Sequence, residues 1–138
     1  MFLSLGKHVQ SYELKKVIQI AGAPAPIGPY SQAVLKENTL YVSGQIPMNP
    51  LNGELVTGDI RVQTKAVLNN IKNLVEAASL KMDDIVKCSI FILDMNDFSE
   101  INEVYADYFG EQPPARETVQ VSGLPKNVSI EISCIAIR

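Results

Sequence analysis

The sequence predicts an α+β fold of two layers, in which two helices cover one face of a mixed β-sheet. Apolar residues repeat at helical spacing in two stretches, residues 59–79 and 97–110, whereas the other periodic stretches alternate as half-buried strands do. These elements follow one another in the order β-ββ-α-β-α-ββ, without an internal repeat. At 138 residues, the chain is expected to form one domain.

The first half of the chain contains three predicted strands. Residues 15–20 form the first strand, and residues 31–35 and 40–43 form a hairpin. Three prolines before Tyr30 exclude a helix and impose an extended or turning path. Gly44, at the end of the hairpin, permits a close approach to a ligand, although a glycine there is more often only a bend.

Two amphipathic helices follow the hairpin. Apolar residues repeat every three to four positions from Asp59, whose side chain can cap the first helix, and this helix is expected to end near Ser79. The second helix begins at Asp97, where an Asp-x-x-Glu sequence is typical of a capping box, and Gly110 closes it.

Both cysteines are expected to be buried as free thiols. Residues 85–93 form a long strand with Val86 and Cys88 on its apolar side, and Cys134 lies on the apolar side of the last strand. Neither cysteine belongs to a CxxC motif, and His8 is the only histidine. A zinc site and a catalytic Ser-His or Cys-His pair therefore lack the residues that they need.

The last two strands carry the candidate functional residues. Residues 113–121 and 128–138 both alternate, and the link between them has the turn residues of a hairpin. If the strands pair antiparallel with their apolar faces together, Thr118 faces Glu131, and Arg116 is its diagonal neighbour at roughly 7–8 Å. This arginine and carboxylate either form a structural ion pair, which the pattern alone favours, or serve a ligand.

The sheet face that carries these charges is predicted to be open, because a two-layer fold has no helix to cover it. Ile135 and Ile137 continue the same face, so that it is partly apolar. An apolar face without a covering layer implies a partner subunit, and the sequence therefore predicts an oligomer.

The composition restricts the class of protein. A net charge of -3 and a pI near 5.1 provide no basic surface for a nucleic acid. No run approaches the ~20 apolar residues of a membrane span, and the apolar start at residues 1–6 is too short for a signal peptide. We expect a cytoplasmic protein with neither a nucleic-acid nor a membrane partner.

Four stretches carry a resemblance to a known family: residues 23–32 (APAPIGPYSQ), 43–47 (SGQIP), 75–78 (VEAA) and 114–138. They resemble the RidA (YjgF) family of reactive intermediate deaminases. The likeness assigns residues 15–138 to a single RidA-like domain and residues 1–14 to an N-terminal extension.

The resemblance implies a chorismate-mutase-like fold, a homotrimer and active clefts between subunits. It implies hydrolysis of 2-aminoacrylate and related enamines or imines (2-iminobutanoate/2-iminopropanoate) to 2-keto acids and ammonia, without a cofactor or metal. Arg116 matches the arginine that holds the substrate carboxylate, and Glu131 matches the carboxylate assigned to the catalytic water. Further substrate-binding positions are matched by Tyr30, Ser43, Gly44, Asn102 and Thr118.

Other functions stay open at this point. One is a non-catalytic trimer that binds small carboxylates or acts as a holdase or regulator; it would keep Arg116 without depending on Glu131. Another is a 3-aminoacrylate deaminase of pyrimidine catabolism. A nuclease or translation inhibitor is disfavoured, because the pI is acidic, the chain has one histidine, and the sequence has no cluster of carboxylates for a metal.

Overall fold

The computed structural model describes residues 14–138, which form a six-stranded sheet with two helices on one face. In chain order the elements are β1 Lys16–Ile18, β2 Ala33–Lys36, β3 Thr39–Gln45, α1 Ile60–Ala77, β4 Ile85–Ile92, α2 Phe98–Ala106, β5 Ala115–Gln120 and β6 Ile130–Ile137. The predicted α+β class and element order are confirmed. The predicted N-terminal extension, residues 1–14, falls almost entirely outside the described residues.

The strands lie in the order β1-β2-β3-β6-β4-β5, and every neighbouring pair is antiparallel except β4 and β5. The predicted hairpin of β2 and β3 is confirmed. The predicted hairpin of the last two strands is wrong, because β4 lies between them. Thr118 pairs with Ile90 of β4, and Glu131 pairs with Phe91 from the other side of that strand.

The predicted orientation of β5 is also wrong. Arg116 lies beside the buried Cys88 in the parallel pair, so Arg116 and Thr118 point to the helix side of the sheet. Val119 instead points to the open face, which it shares with Glu131. β5 is an edge strand with few apolar residues, and its alternation therefore does not specify which of its faces is buried.

A register shift near the start of β4 corrects a further prediction. Ile85 pairs with Ala136, but Lys87 pairs with Ile135, and the pairing is irregular between them. Ile85 is consequently buried, whereas Val86 is 44% exposed and does not lie on the side of Cys88. An irregularity of this kind interrupts the alternation on which the prediction relied.

The hydrophobic core lies between the helices and one face of the sheet. Its fully buried members include Leu68, Ile71, Leu74, Ile90, Ile101, Ile130 and Ile132. Cys88 and Cys134 are buried, free and opposite each other in the β4–β6 pair, as expected of packing residues. None of the described helices combines the length and the apolarity needed to cross a membrane.

The helix ends follow the sequence only in part. The cap at Asp59 is confirmed, since its carboxylate accepts a hydrogen bond from the Val62 N–H at 3.1 Å. Asp97 makes no such bond, and a short 3₁₀ turn precedes α2 instead. α2 ends at Ala106 rather than at Gly110, because the chain continues in turns. In one of them the backbone N–H of Tyr108 donates to the Tyr105 carbonyl.

The open face of the sheet is partly apolar, as predicted. Its exposed large apolar side chains include Val17, Tyr41, Val119 and Ile137. Lys87 and Glu117 form an ion pair at 2.9 Å toward one edge of this face. An exposed sheet face that carries several large apolar side chains is typical of a contact between proteins.

Replacing Asp59 by Ala is expected to destabilise the fold by about 1 kcal/mol, because the first turn of α1 loses its capping acceptor. The midpoint of thermal unfolding at a fixed protein concentration measures the loss. Asp97→Ala is the matched control, since this aspartate precedes α2 without capping it. Equal losses in the two variants would contradict the assigned role of the Asp59 side chain.

Candidate active site

The residues that the sequence singled out fall into two groups on different sides of the sheet. The arginine group, on the helix side, comprises Arg116, Asn102 and Thr118. The glutamate group, around the open face and the end of β3, comprises Tyr30, Ser43, Gly44 and Glu131. Within one chain the sheet lies between the two groups, so the expected proximity of Arg116, Thr118 and Glu131 is not observed.

Arg116 lies in a cleft of about 390 Å³ between α2 and the start of β5. The cleft is also lined by Asn102, Tyr105, Phe109, Pro113 and Pro114, among others. The guanidinium carbon of Arg116 lies 4.8 Å from the ring centre of Tyr105 and 5.7 Å from that of Phe98. Aromatic faces attract a guanidinium, and Arg116 is therefore held against α2.

The Arg116 guanidinium makes no hydrogen bond or ion pair within the part of the chain that the structure describes. The structural ion pair with Glu131, which the sequence pattern favoured, is absent because the two side chains point to opposite faces. A planar guanidinium with free N–H groups can bind a carboxylate through two parallel hydrogen bonds. The arginine group can therefore bind a small carboxylate.

The Thr118 hydroxyl lies on the same side of β5. It is buried, and it has no hydrogen-bond partner among residues 14–138. Burying a hydroxyl without a hydrogen-bond partner destabilises the folded chain, and such a group is commonly paired by a polar ligand or by a second chain.

Glu131 packs directly against the backbone of Gly44. A Cβ on Gly44 would lie 2.6 Å from the Glu131 carboxyl carbon and 2.7 Å from one of its oxygens, so any other residue at position 44 would displace the Glu131 carboxylate from this place. Gly44 lies where the register between β3 and β6 shifts, between Val42 and Gln45. The glycine thus permits a close approach to its backbone, and the group that approaches is the Glu131 carboxylate of the same chain.

Burial raises the pKa of the Glu131 carboxyl, in the direction expected from the apolar strand face. Neither ion pair of the described residues includes Glu131, so no cation offsets the burial. A carboxyl group whose pKa is raised toward neutrality can exchange a proton more readily at physiological pH.

A smaller cleft of about 170 Å³ connects Glu131 with Tyr30, which is exposed. The segment that carries Tyr30 is joined to β3 by two hydrogen bonds. The Ser43 hydroxyl donates to the Ser31 carbonyl at 2.6 Å, and the Ser43 N–H donates to the Gln32 carbonyl at 2.9 Å. The Ser43 hydroxyl proton is therefore in use, whereas its oxygen can still accept a hydrogen bond.

Sequence reasoning missed two residues of these clefts. Tyr105 was placed only in the apolar stripe of α2, which gave no sign of its contact with Arg116. Asn70 is 5% exposed, and its amide donates to the Met48 carbonyl at 2.8 Å, which holds the loop after β3 beside the glutamate group. The sequence does contain a signal for Asn70, because it is a polar residue three positions after Val67, on the buried side of α1.

The potential metal ligands do not assemble within residues 14–138. No three His, Cys, Asp or Glu side chains there lie close enough together to hold an ion. Burial raises the pKa of both the Cys88 and Cys134 thiols, which is opposite to what a ligating or nucleophilic thiolate requires. His8 lies outside the described residues.

Comparisons with known proteins match nearly the whole described chain. The family described as Endoribonuclease L-PSP matches residues 20–138. A RutC family protein of Pyrococcus horikoshii is 54% identical over 125 residues, 91% of this chain and 99% of its own. A 2-iminobutanoate/2-iminopropanoate deaminase of Dermatophagoides farinae is 50% identical over 123 residues, 89% and 96% of the two chains. The crystal structure of E. coli TdcF with bound serine has a TM-score of 0.83 at 45% identity, and the match covers 89% of this chain and 98% of that one.

Replacing Glu131 by Gln is expected to increase the free energy of unfolding at pH 7. The folded-state pKa of Glu131 is raised above the ~4.3 of an unfolded chain, so its ionisation destabilises the folded state. Below that pH both states are protonated and the difference vanishes. The gain should therefore be nearly absent at about pH 3 and should grow as the pH rises toward the folded-state pKa, as chemical unfolding at a series of pH values can measure.

Glu117→Gln is the control with the opposite sign. Its hydrogen bond to Lys87 is the main cause that lowers the pKa of Glu117, so its ionisation favours the folded state above the unfolded pKa. Because Glu117 is exposed, we expect a small loss or no change at pH 7. A Glu131→Gln variant no more stable than the wild type at pH 7 would contradict the assigned burial cost.

Proposed function

The chain belongs to the endoribonuclease L-PSP family, also called the RidA (YjgF) family, and we propose that it is an enamine/imine deaminase. Its proposed substrates are 2-aminoacrylate and the related 2-imino acids, which it converts to 2-keto acids and ammonia. One observation carries the proposal: Arg116 lies in a cleft with no ionic partner among the described residues. The relatives named as deaminases support it.

The two groups can act on one substrate only if different copies of the chain provide them. Within one copy, Arg116 and Glu131 point to opposite faces of the sheet. The open face that carries Glu131 is partly apolar, which suits a surface between subunits. We therefore assign each active site to the arginine group of one copy and the glutamate group of another, in the homotrimer that the family resemblance implies.

In the proposed reaction, Arg116 holds the substrate carboxylate through two parallel hydrogen bonds. This grip determines where the imine carbon lies relative to the neighbouring copy. Asn102 lines the same cleft and provides an amide for polar contacts with the substrate. Binding of serine to TdcF is consistent with a site for small amino-acid carboxylates in this family.

Glu131 acts as the proposed acid and base. The oxygen of a water molecule bonds to the imine carbon while Glu131 takes a proton from it. The carboxyl group returns this proton to the nitrogen, which gives a carbinolamine. It then takes the proton of the carbinolamine hydroxyl and passes it to the amine, so that the carbon–nitrogen bond breaks as the C=O bond forms, and the keto acid and ammonia leave. The raised pKa of Glu131 supports this role and favours an enzyme over a module that only binds carboxylates, because binding alone requires no group that exchanges protons.

The function is tested by an assay in which a dehydratase generates the imine and its disappearance is followed with and without this protein. Arg116→Lys keeps the charge but loses the paired donors, so we expect a fall in kcat/KM of at least about tenfold. Glu131→Gln can position water without accepting its proton, and its rate should fall by ~10²–10⁴-fold while pyruvate still binds.

Arg61→Lys and Glu103→Gln are the matched controls, because these residues form an ion pair between α1 and α2 away from both clefts. Both controls should retain the wild-type rate. A wild-type protein that does not accelerate imine loss would refute the deaminase. An unchanged rate in Glu131→Gln would remove Glu131 from the chemistry.

Mixed oligomers test whether the site lies between copies. Arg116→Lys and Glu131→Gln chains, co-expressed with different tags and purified through both, form some clefts with two intact groups. Every trimer that carries both tags has two copies of one variant and one of the other, and in either case one of its three clefts is intact. Activity should therefore return to about a third of the wild-type rate. Mixtures as inactive as the two separate variants would place the site within one chain. The mass of the particle is a separate measurement, and light scattering should report three copies of the chain.

A further inference from the structure

An aromatic ring holds the Arg116 guanidinium, whereas many buried arginines are held by a carboxylate. It lies 4.8 Å from the centre of the Tyr105 ring, and Tyr105 is 6% exposed. Phe98, at 5.7 Å and 37% exposed, is the more distant and more open of the two aromatic contacts. We infer that Tyr105 is a positioning residue whose ring face holds Arg116 in the orientation that binds the substrate carboxylate. This inference rests on the proposed function.

An aromatic partner leaves the arginine available to a ligand. A carboxylate partner accepts the guanidinium N–H groups and neutralises the charge, as Glu103 does for Arg61 on the surface. A ring attracts the cation through its face and does not accept hydrogen bonds in the guanidinium plane. Arg116 is thus held in place while its N–H groups remain free within residues 14–138.

The ring of Tyr105, rather than its hydroxyl, is the part that acts. The hydroxyl is buried and has no well-formed hydrogen bond within the described chain. Burial, and then the neighbouring Cys88 thiol, raise the pKa of Tyr105, so the hydroxyl stays neutral. It therefore contributes neither a charge nor a strong hydrogen bond to the arginine cleft.

The ring is also prevented from turning away from Arg116. On one side it packs against the Phe109 ring, with centres 4.6 Å apart and planes inclined by 42°. Its hydroxyl end lies against the core at Cys88, beneath α2. A surface of this rigidity reduces the entropy that Arg116 loses when it binds a carboxylate, because the guanidinium is already oriented.

The test replaces Tyr105 by phenylalanine and then by phenylalanines with one, two and three ring fluorines. Fluorine withdraws electrons from the ring face and weakens its attraction for a cation, while the size of the ring changes little. From Phe to the trifluoro ring, we expect the KM for the imine and the Kd for pyruvate to rise in steps to a total of about 3- to 30-fold. The kcat should change less than about twofold, and Tyr105→Phe should match the wild type.

The same series at Tyr108 is the matched control. Tyr108 follows α2 closely, but its hydroxyl donates to Asn69 at 2.8 Å, and it does not line the arginine cleft. Its series should show no dependence on fluorine. Tyr105→Leu removes the ring face, and its KM should rise at least as much as with the trifluoro ring.

The outcomes separate the inference from the proposed function. If the wild type is active but KM and Kd do not depend on fluorine at position 105, Tyr105 only fills the core and the inference is overturned. If the wild type has no deaminase activity but pyruvate binding follows the fluorine series, the inference holds and the deaminase proposal fails. If the wild type neither hydrolyses the imine nor binds pyruvate, both are overturned.

Discussion

The candidate site depends on the parallel pairing of β5 with β4. This pairing turns Arg116 toward α2 and Val119 toward the open face, whereas a hairpin with β6 would have done the reverse. In the antiparallel pair of β4 and β6, Glu131 points to the open face, which is opposite to the side of Arg116. The two charged groups are thus kept apart in each chain, and neither can neutralise the other.

Keeping the two groups apart costs stability, and the structure shows where the cost arises. Glu131 is half-buried without a cation among residues 14–138, and it takes this place beside a glycine, Gly44, whose Cβ would displace it. The hydroxyls of Thr118 and Tyr105 are buried without well-formed hydrogen bonds among residues 14–138. Groups in this condition are destabilising in a single chain and are commonly found where a protein binds a ligand or a partner.

Different kinds of interaction support the walls of the two clefts. The arginine cleft is supported by aromatic packing on α2, where Tyr105 lies between Arg116 and the core. The glutamate cleft is supported by hydrogen bonds, from Ser43 to the Tyr30 segment and from Asn70 to the loop after β3. Tyr105 and Asn70 are themselves buried, so the positions of the functional side chains that they support are tied to the stability of the fold.

The sequence alone determined the element types, their order, the cap at Asp59 and the buried cysteines, because periodicity and capping are local properties. Its motifs also identified Arg116 and Glu131 as candidate residues. Only the tertiary structure decided on which side of the sheet each one lies. Alternation in an edge strand specifies two faces without saying which is buried, and strand neighbours are chosen by packing across the whole domain. The contact between Tyr105 and Arg116 follows from that choice, since it forms only when β5 lies under α2.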